Sequence, residues 1–247
     1  MARVALRESH LTFRAVGLTW TLLLCCLVPF LSLVPGVNGY GYVHWVDVST
    51  SVSTDQFQCL SSQGVSGVVV RAWRSLGDFD KNAPATVASA HQAGIPNVDV
   101  YMFPCIKCGN FEDQVSGLLS GLNETAFDRV WLDVEGVQYW TGDCGQNLKD
   151  FEDLMSILIS SLGKERVGVY CSPTSWHNPM CDVYTPVSAD VPLWYPHYDK
   201  NPSFSDFPQD GYGGWHRPHM KQYVGSTTAF CNAGVDLNVM WNDTASA

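Results

Sequence analysis

The 247-residue chain carries 14 basic and 24 acidic residues, a net charge of −10, and 46% of it is hydrophobic. The acidic balance argues against nucleic acid and against attraction to anionic membranes. The apolar share is ample for a core in one large α/β domain or two small ones.

Arg3, Arg7 and Arg14 precede an apolar run from Leu18 to Val34, followed by Val37-Asn38-Gly39. Short side chains at Val37 and Gly39 fit the third and first positions before a signal peptidase cut. The run is short for a membrane span and broken by Pro29. Residues 1–39 therefore read as a signal peptide and residues 40–247 as the working domain of a secreted protein, extracellular or in the lumen of a digestive compartment. Cleavage leaves 11 basic and 23 acidic residues, a charge of −12, and removes Cys25 and Cys26 from the nine cysteines. The remaining seven should pair in an oxidising compartment with one left over. Asn123-Glu-Thr125 and Asn242-Asp-Thr244 fit the glycosylation sequon.

In the mature chain, Tyr42 to Val48 reads as a strand, and Thr54 as the cap of a helix reaching Gly64. A strand at Gly67 to Trp73, a helix from Ala85 to Gly94 and a strand at Val98 to Phe103 follow. Next come a cysteine-bearing loop, a helix from about Phe111 to Leu122, and the strand Arg129 to Val134. The helix Asn147 to Leu162 and the strand Arg166 to Tyr170 complete the alternating part. Beyond Cys171 the strand-like stretches Leu193-Trp194-Tyr195, Met220 to Val224 and Leu237 to Trp241 have no convincing helix between them. The pattern predicts a single modified TIM-type α/β barrel of about eight strands with helices mainly after the first five, a (β/α)5(β)3-like arrangement.

In such barrels the site lies where the strands end. Asp133 and Glu135 close the fourth strand and, two apart, share one face. Two acids in one small volume have their pKa values pushed apart, as glycosidic cleavage requires. Asp47 ends the first strand, and Arg71, Tyr101, Tyr170, Trp194, His197, Gln222 and Tyr223 lie at the ends of others. If the last two strands form an antiparallel hairpin, Asp236, which begins its strand, reaches the same mouth. Carboxylates beside flat rings suit a sugar.

Plainer readings stand beside these. Asp47 followed by Ser and Thr also fits a helix cap, and Trp73, Trp131 and Trp241 suit the core. His44, His91, His197, His216 and His219 lack zinc-ligand spacing, and no metal or cofactor is expected. Cys105-Ile-Lys-Cys108 has no second pair at zinc-finger spacing, so disulfides explain the cysteines more simply. Cys171 could pair with Cys181, and Cys144 with Cys105 or Cys108.

Taken together, Val43-His44-Trp45-Val46-Asp47-Val48-Ser49, Trp131-Leu132-Asp133-Val134-Glu135-Gly136 and Val235-Asp236-Leu237-Asn238 resemble glycoside hydrolase family 25, the Chalaropsis-type lysozymes, closest to their animal, nematode-like members. Tyr101 to Pro104, Val167 to Tyr170, Leu193 to Asp199 and Lys221-Gln222-Tyr223 extend the resemblance over nearly the whole mature chain. Position 71 departs from it, being Arg where bacterial members often carry Lys, as does the loop Trp73 to Asp80.

The resemblance implies cleavage of the β-1,4 bond between N-acetylmuramic acid and N-acetylglucosamine in bacterial peptidoglycan. Glu135 would be the general acid, Asp133 would assist the anomeric centre as nucleophile or by orienting the substrate's N-acetyl group, and Asp47 and Asp236 would complete the acidic cluster. The chain is expected to act as a monomer without stable membrane association. At −12 it gains no steering to anionic walls and should favour acidic pH and appreciable salt. Two alternatives carry weight. In a family 18 chitinase, Asp-x-x-Asp-x-Asp-x-Glu ends the fourth strand. Asp128, Asp133 and Glu135 match that motif, but Trp131 stands where its remaining acid would be. The other alternative is a non-catalytic secreted sugar-binding protein.

Overall fold

The structure, a computed structural model, describes residues 41–186 and 190–242. The expected signal peptide lies outside the described residues, as does Thr244 of the second sequon. Five strand and helix pairs come first: β1 (Tyr42–Val48) and α1 (Thr54–Ser62), β2 (Val65–Arg74) with a two-residue spur β3 (Asp78–Phe79) and α2 (Ala83–Gln92), β4 (Asn97–Met102) and α3 (Phe111–Gly121), β5 (Val130–Val134) and α4 (Cys144–Leu162), β6 (Val167–Cys171) and α5 (Pro173–Met180). Three strands follow with no described helix between them: β7 (Leu193–Pro196), β8 (Met220–Thr227) and β9 (Val235–Trp241).

Eight strands close a ring in the order β1-β2-β4-β5-β6-β7-β8-β9, because β1 pairs with both β2 and β9. All ring pairs are parallel except those of β9, which runs antiparallel to β8 and β1. This is the expected (β/α)5(β)3 barrel, and the reversal of β9 brings its first residues to the end where the other strands finish.

Strand alternation separates two apolar regions. Val130, Leu132 and Val134 of β5, with their counterparts on neighbouring strands, join an outer core that the helices cover. α4 contributes Phe151, Leu154 and Leu158, spaced three and four apart so that they share one helix face. Each such buried side chain contributes about 1.5–3 kcal/mol. Inside the ring, Trp45, Val69, Trp131, Tyr170, Trp194, Met220 and Met240 pack together. The indoles fit because glycines face them: a Cβ on Gly67 would lie 2.3 Å from the Trp45 ring, and one on Gly168 2.5 Å from that of Trp131. Trp73 and Trp131 are buried as expected, and Trp241 packs partly buried against the outer core.

The outer face of β7 to β9 is covered by a strap of residues 197–219 in place of helices. Phe204 stacks on Trp241, their centroids 4.9 Å apart, and meets Tyr42 edge-on. Lys221 of β8, fully buried, pins the strap: its Nζ donates to Asp199 Oδ2 at 2.9 Å, Asp206 Oδ1 at 2.7 Å and the Ser203 carbonyl at 3.0 Å.

Three local readings are corrected. Ser53, not Thr54, caps α1, in a capping box with Gln56. Asp47 is no cap, since it belongs to β1. The disulfides are Cys59–Cys231, Cys105–Cys108 and Cys144–Cys181. Cys171 stays free because it points from β6 into the outer core, while α5 carries Cys181 to the start of α4. Cys105 and Cys108 close on each other across a single helical turn, which leaves Cys144 for Cys181.

Candidate active site

At the barrel mouth, a cavity of about 110 Å3 is lined by Asp47, Tyr101, Asp133, Glu135, Tyr170, Trp194, Tyr198, Gln222 and Asp236. Register explains the convergence. Asp47 of β1 lies directly opposite Asp236 of β9, Asp133 of β5 opposite Tyr170 of β6, and Gln222 of β8 opposite Asn238 of β9. Glu135 follows the last residue of β5 on the same side as Asp133, and the chain then turns at Gly136 with φ +65°. A Cβ at Gly136 would lie 2.8 Å from the Tyr139 ring, so both the turn and the contact favour glycine.

A chain of hydrogen bonds fixes the acids on one wall. The hydroxyls of Tyr170 and Tyr198 both donate to Gln222 Oε1 at 2.8 Å. That leaves Gln222 Nε2 to donate to Asp47 Oδ1 at 2.8 Å and Asp236 Oδ2 at 2.9 Å. Asn238 Nδ2 adds a bond to Asp47 Oδ1 at 2.7 Å, and its own oxygen accepts from Trp194 Nε1 at 2.8 Å. Ser226 N–H donates to the other oxygen of Asp236.

The opposite wall differs. Asp133 is buried, and its Oδ1 has no hydrogen-bond partner. Burial, then the charges of Glu135 and Asp47, hold its pKa well above the usual carboxylate range. Glu135 is raised by burial and by the Asp236 charge. Asp47 is pushed up to about 8 by burial and by Asp236, against the hydrogen bonds from Asn238 and Gln222. No Lys or Arg lines the cavity to offset these charges. Near neutral pH the cluster therefore holds protons that isolated carboxylates would have released.

The comparisons with known proteins agree with this geometry. Residues 38–223 match the family described as lysozyme-like protein 1. A Dictyostelium discoideum protein described as "Probable GH family 25 lysozyme 2" is 41% identical over 215 residues, covering 86% of this chain and 96% of the relative. The chain belongs to the glycoside hydrolase family 25 lysozymes. A lysozyme-like protein 5 of Caenorhabditis elegans is 32% identical over 78% of the chain and 89% of its own length. The bacterial lysozyme of Streptomyces coelicolor shares the fold, with a TM-score of 0.65 at 18% identity, over 79% of this chain and 90% of that one. The protein is thus a glycoside hydrolase of muramidase type.

Within this family 25 barrel, Asp47, Tyr101, Asp133, Glu135, Tyr170, Trp194, Gln222 and Asp236 meet in one cavity. Trp194 is almost wholly buried, with its ring edge-on to Tyr170 at 4.5 Å, so it forms the floor rather than an open platform. Gln222 faces the acids of the site. Arg71 stands outside the lining, where Asp80 holds it through a 2.7 Å bond; its charge acts on Tyr101 beside it. Two placements are corrected. His197 turns away from the mouth to Asp206, and Tyr223 lies in the outer core. His197 lies just past the end of β7, beside Tyr198, which does enter. Tyr223 is one residue from Gln222, which does enter, and on a pleated strand neighbours cannot share a face. The same rule would have found Asn238, two residues after Asp236. Tyr198 lies past the end of β7, so alternation does not place it.

Proposed function

We propose that this protein is a secreted lysozyme that hydrolyses the β-1,4 bond between N-acetylmuramic acid and N-acetylglucosamine in bacterial peptidoglycan. The observation that carries the reading is the partnerless Asp133 Oδ1 beside Glu135, in an aromatic-floored cavity that no cation lines. Glu135 is the more exposed of the two, lying past the strand end where a glycosidic oxygen can approach. It donates a proton as the bond to the anomeric carbon breaks, and its raised pKa keeps that proton available. The departing sugar leaves with its oxygen protonated. The positive charge then developing at the anomeric centre meets an acidic wall.

Asp133 acts as nucleophile or orients the sugar's acetamide, whose carbonyl then closes on the anomeric carbon. The orienting role fits the unsatisfied oxygen further. An acetamide N–H donated to Oδ1 supplies the missing bond and, by favouring the ionised form, draws its pKa back down. Water then opens the intermediate with Glu135 as base. Secretion belongs to this proposal through residues 1–39.

Glu135→Gln is expected to lower the release of reducing ends from bacterial walls by on the order of 10^2–10^4-fold with folding unchanged. Wild-type-like turnover in that variant would sink the assignment. Mass analysis of the fragments separates the alternatives: muropeptides ending in N-acetylmuramic acid are expected, and cleavage of chitin oligomers alone would indicate a chitinase.

A further inference from the structure

Of the three disulfides among the described residues, Cys105–Cys108 does least to hold the chain together. A crosslink removes loop-closure entropy from the unfolded chain, by an amount that grows with the logarithm of the residues enclosed. Cys59–Cys231 spans 172 positions and Cys144–Cys181 spans 37, whereas Cys105–Cys108 spans 3. The short bond also reaches the surface, since Cys108 is exposed at the end of the helical turn Ile106–Cys108 in the loop after β4. Other bonds hold that turn at its ends. Gln114 of α3, only 4% exposed, donates from Nε2 to the Cys105 and Gly109 carbonyls at 2.9 and 2.7 Å. Its Oε1 accepts from Cys105 N–H at 2.9 Å and from Trp73 Nε1 at 3.1 Å. Two thiols would therefore stay near each other once the bond between them opened.

The same turn supports the loop that carries Glu135. Lys107, between the two cysteines, donates from Nζ to the Gln138 carbonyl at 2.7 Å. Gln138 stands three residues after Glu135, just beyond the sharp turn at Gly136. Phe103, before the cysteines, meets Tyr139 edge-on with centroids 4.8 Å apart. From the other side the loop after β2 approaches at Gly77, where a Cβ would lie 3.0 Å from Cys108 Sγ, so glycine leaves the sulfur room. Three loops of the mouth thus meet at one exposed disulfide, the kind that thiols reduce most readily.

We infer that Cys105–Cys108 is a reversible redox site, opened by a low-molecular-weight thiol, whose state sets how firmly the loop carrying Glu135 is held. One small-molecule thiolate attacks Cys108 Sγ and releases the Cys105 thiolate, which takes up a proton. A second thiolate attacks the mixed disulfide and leaves as the small-molecule disulfide, and Cys108 takes up a proton in turn. Two small thiols are oxidised, and the protein gains two electrons and two protons. Gln114 still holds the ends of the turn, but the residues between them gain freedom, and the Gln138 carbonyl loses a fixed donor. The redox site itself does not depend on the glycosidase reading, whereas its effect on turnover rests on that reading.

The test is titration of the intact protein with reduced glutathione near neutral pH, followed by alkylation and peptide mass mapping. Cys105 and Cys108 should label together at a thiol concentration roughly tenfold below that which opens either other bond. Far-UV circular dichroism should not change, and oxidised glutathione should close the pair again. In the reduced protein the Tyr139 and Trp140 amides, which donate to the Gly136 and Val137 carbonyls, should exchange hydrogen several-fold faster. Reducing-end release should fall roughly threefold, in kcat rather than KM. Lys107→Met should reproduce that loss with the disulfide closed, and Lys107→Arg, which can still donate, should largely restore it. The double variant Cys105→Ser, Cys108→Ser should match the reduced wild type and ignore thiol. Earlier opening of another disulfide, labelling only with loss of the dichroism signal, or failure to reclose would overturn the redox site. In a selectively reduced protein, unchanged amide exchange or unchanged turnover would overturn its hold on the Glu135 loop. If neither form releases reducing ends, the glycosidase reading fails instead, and labelling with amide exchange still decides the redox site.

Discussion

Asp47 and Asp236 are direct cross-strand partners that share one donor, Gln222 Nε2, whose orientation is set by two tyrosine hydroxyls on its oxygen. Across the cavity, Glu135 is raised first by burial and second by the Asp236 charge. Asp236→Asn removes the second cause, so Glu135 should lose its proton at lower pH. The alkaline limb of the kcat/KM profile should then move toward lower pH, and a limb that stays in place would show that Asp236 does not act on Glu135. At this scale the sequence was legible wherever strand alternation was applied consistently: Asp133 with Glu135 follows from it directly. Tyr223 sits on the opposite parity of β8 from Gln222, which enters, whereas His197 lies past the end of β7, where alternation gives no direction. Gln222's link to the two acids could not be read from the chain, because its partners are 175 and 14 residues away.

Among the elements, α1, α2 and α4 are legible through the cap, proline and glycine signals at their ends, whereas α5 is not. Pro173 opens it at a position where proline is tolerated, but Pro179 within it reads as a breaker. The strap over β7 to β9 was likewise visible only as a stretch rich in proline, glycine and aromatics, since its anchor is a lysine buried by residues 15 to 22 positions earlier. Lys221→Met leaves Asp199 and Asp206 without their cation. It should cost on the order of 3 kcal/mol in urea unfolding, as expected when one partner of a buried pair is lost. Adding Asp199→Asn and Asp206→Asn should restore most of that stability. If the triple variant is no more stable than the single one, the loss is of packing rather than of charge pairing.

For the whole molecule, closing the ring buries acids whose loss of water outweighs the favourable charges and hydrogen bonds around them. Asp99 lies inside the barrel, accepts from Trp131 Nε1 at 2.7 Å, and is pushed up to about 7 by burial, against the lowering effect of the Arg129 charge and the Trp131 bond. Its ordinary value is 3.8, so between those values the folded chain holds a proton that the unfolded chain has lost. The stability this provides is complete below about pH 4 and disappears as pH rises through 7; Asp47 acts in the same sense. In the opposite sense, hydrogen bonds from Lys221, His197 and Tyr195 outweigh burial and lower Asp206, whose contribution is lost in stronger acid. The melting temperature should therefore be higher at mildly acidic pH than at pH 8. Asp99→Asn keeps an oxygen for Trp131 and should raise the melting temperature at pH 8, by roughly 2–4 °C per kcal/mol relieved. Near pH 4 it should change little, and an equal shift at both pH values would refute the titration argument. By itself, the sequence determined the barrel class, the covered outer face and the acid pair on one strand, because these follow from local periodicity. Only the tertiary structure decided the disulfide pairing, the strap and the amide shared by two acids. Those depend on which distant residues the closed ring brings within bonding distance, and local periodicity carries no information about that.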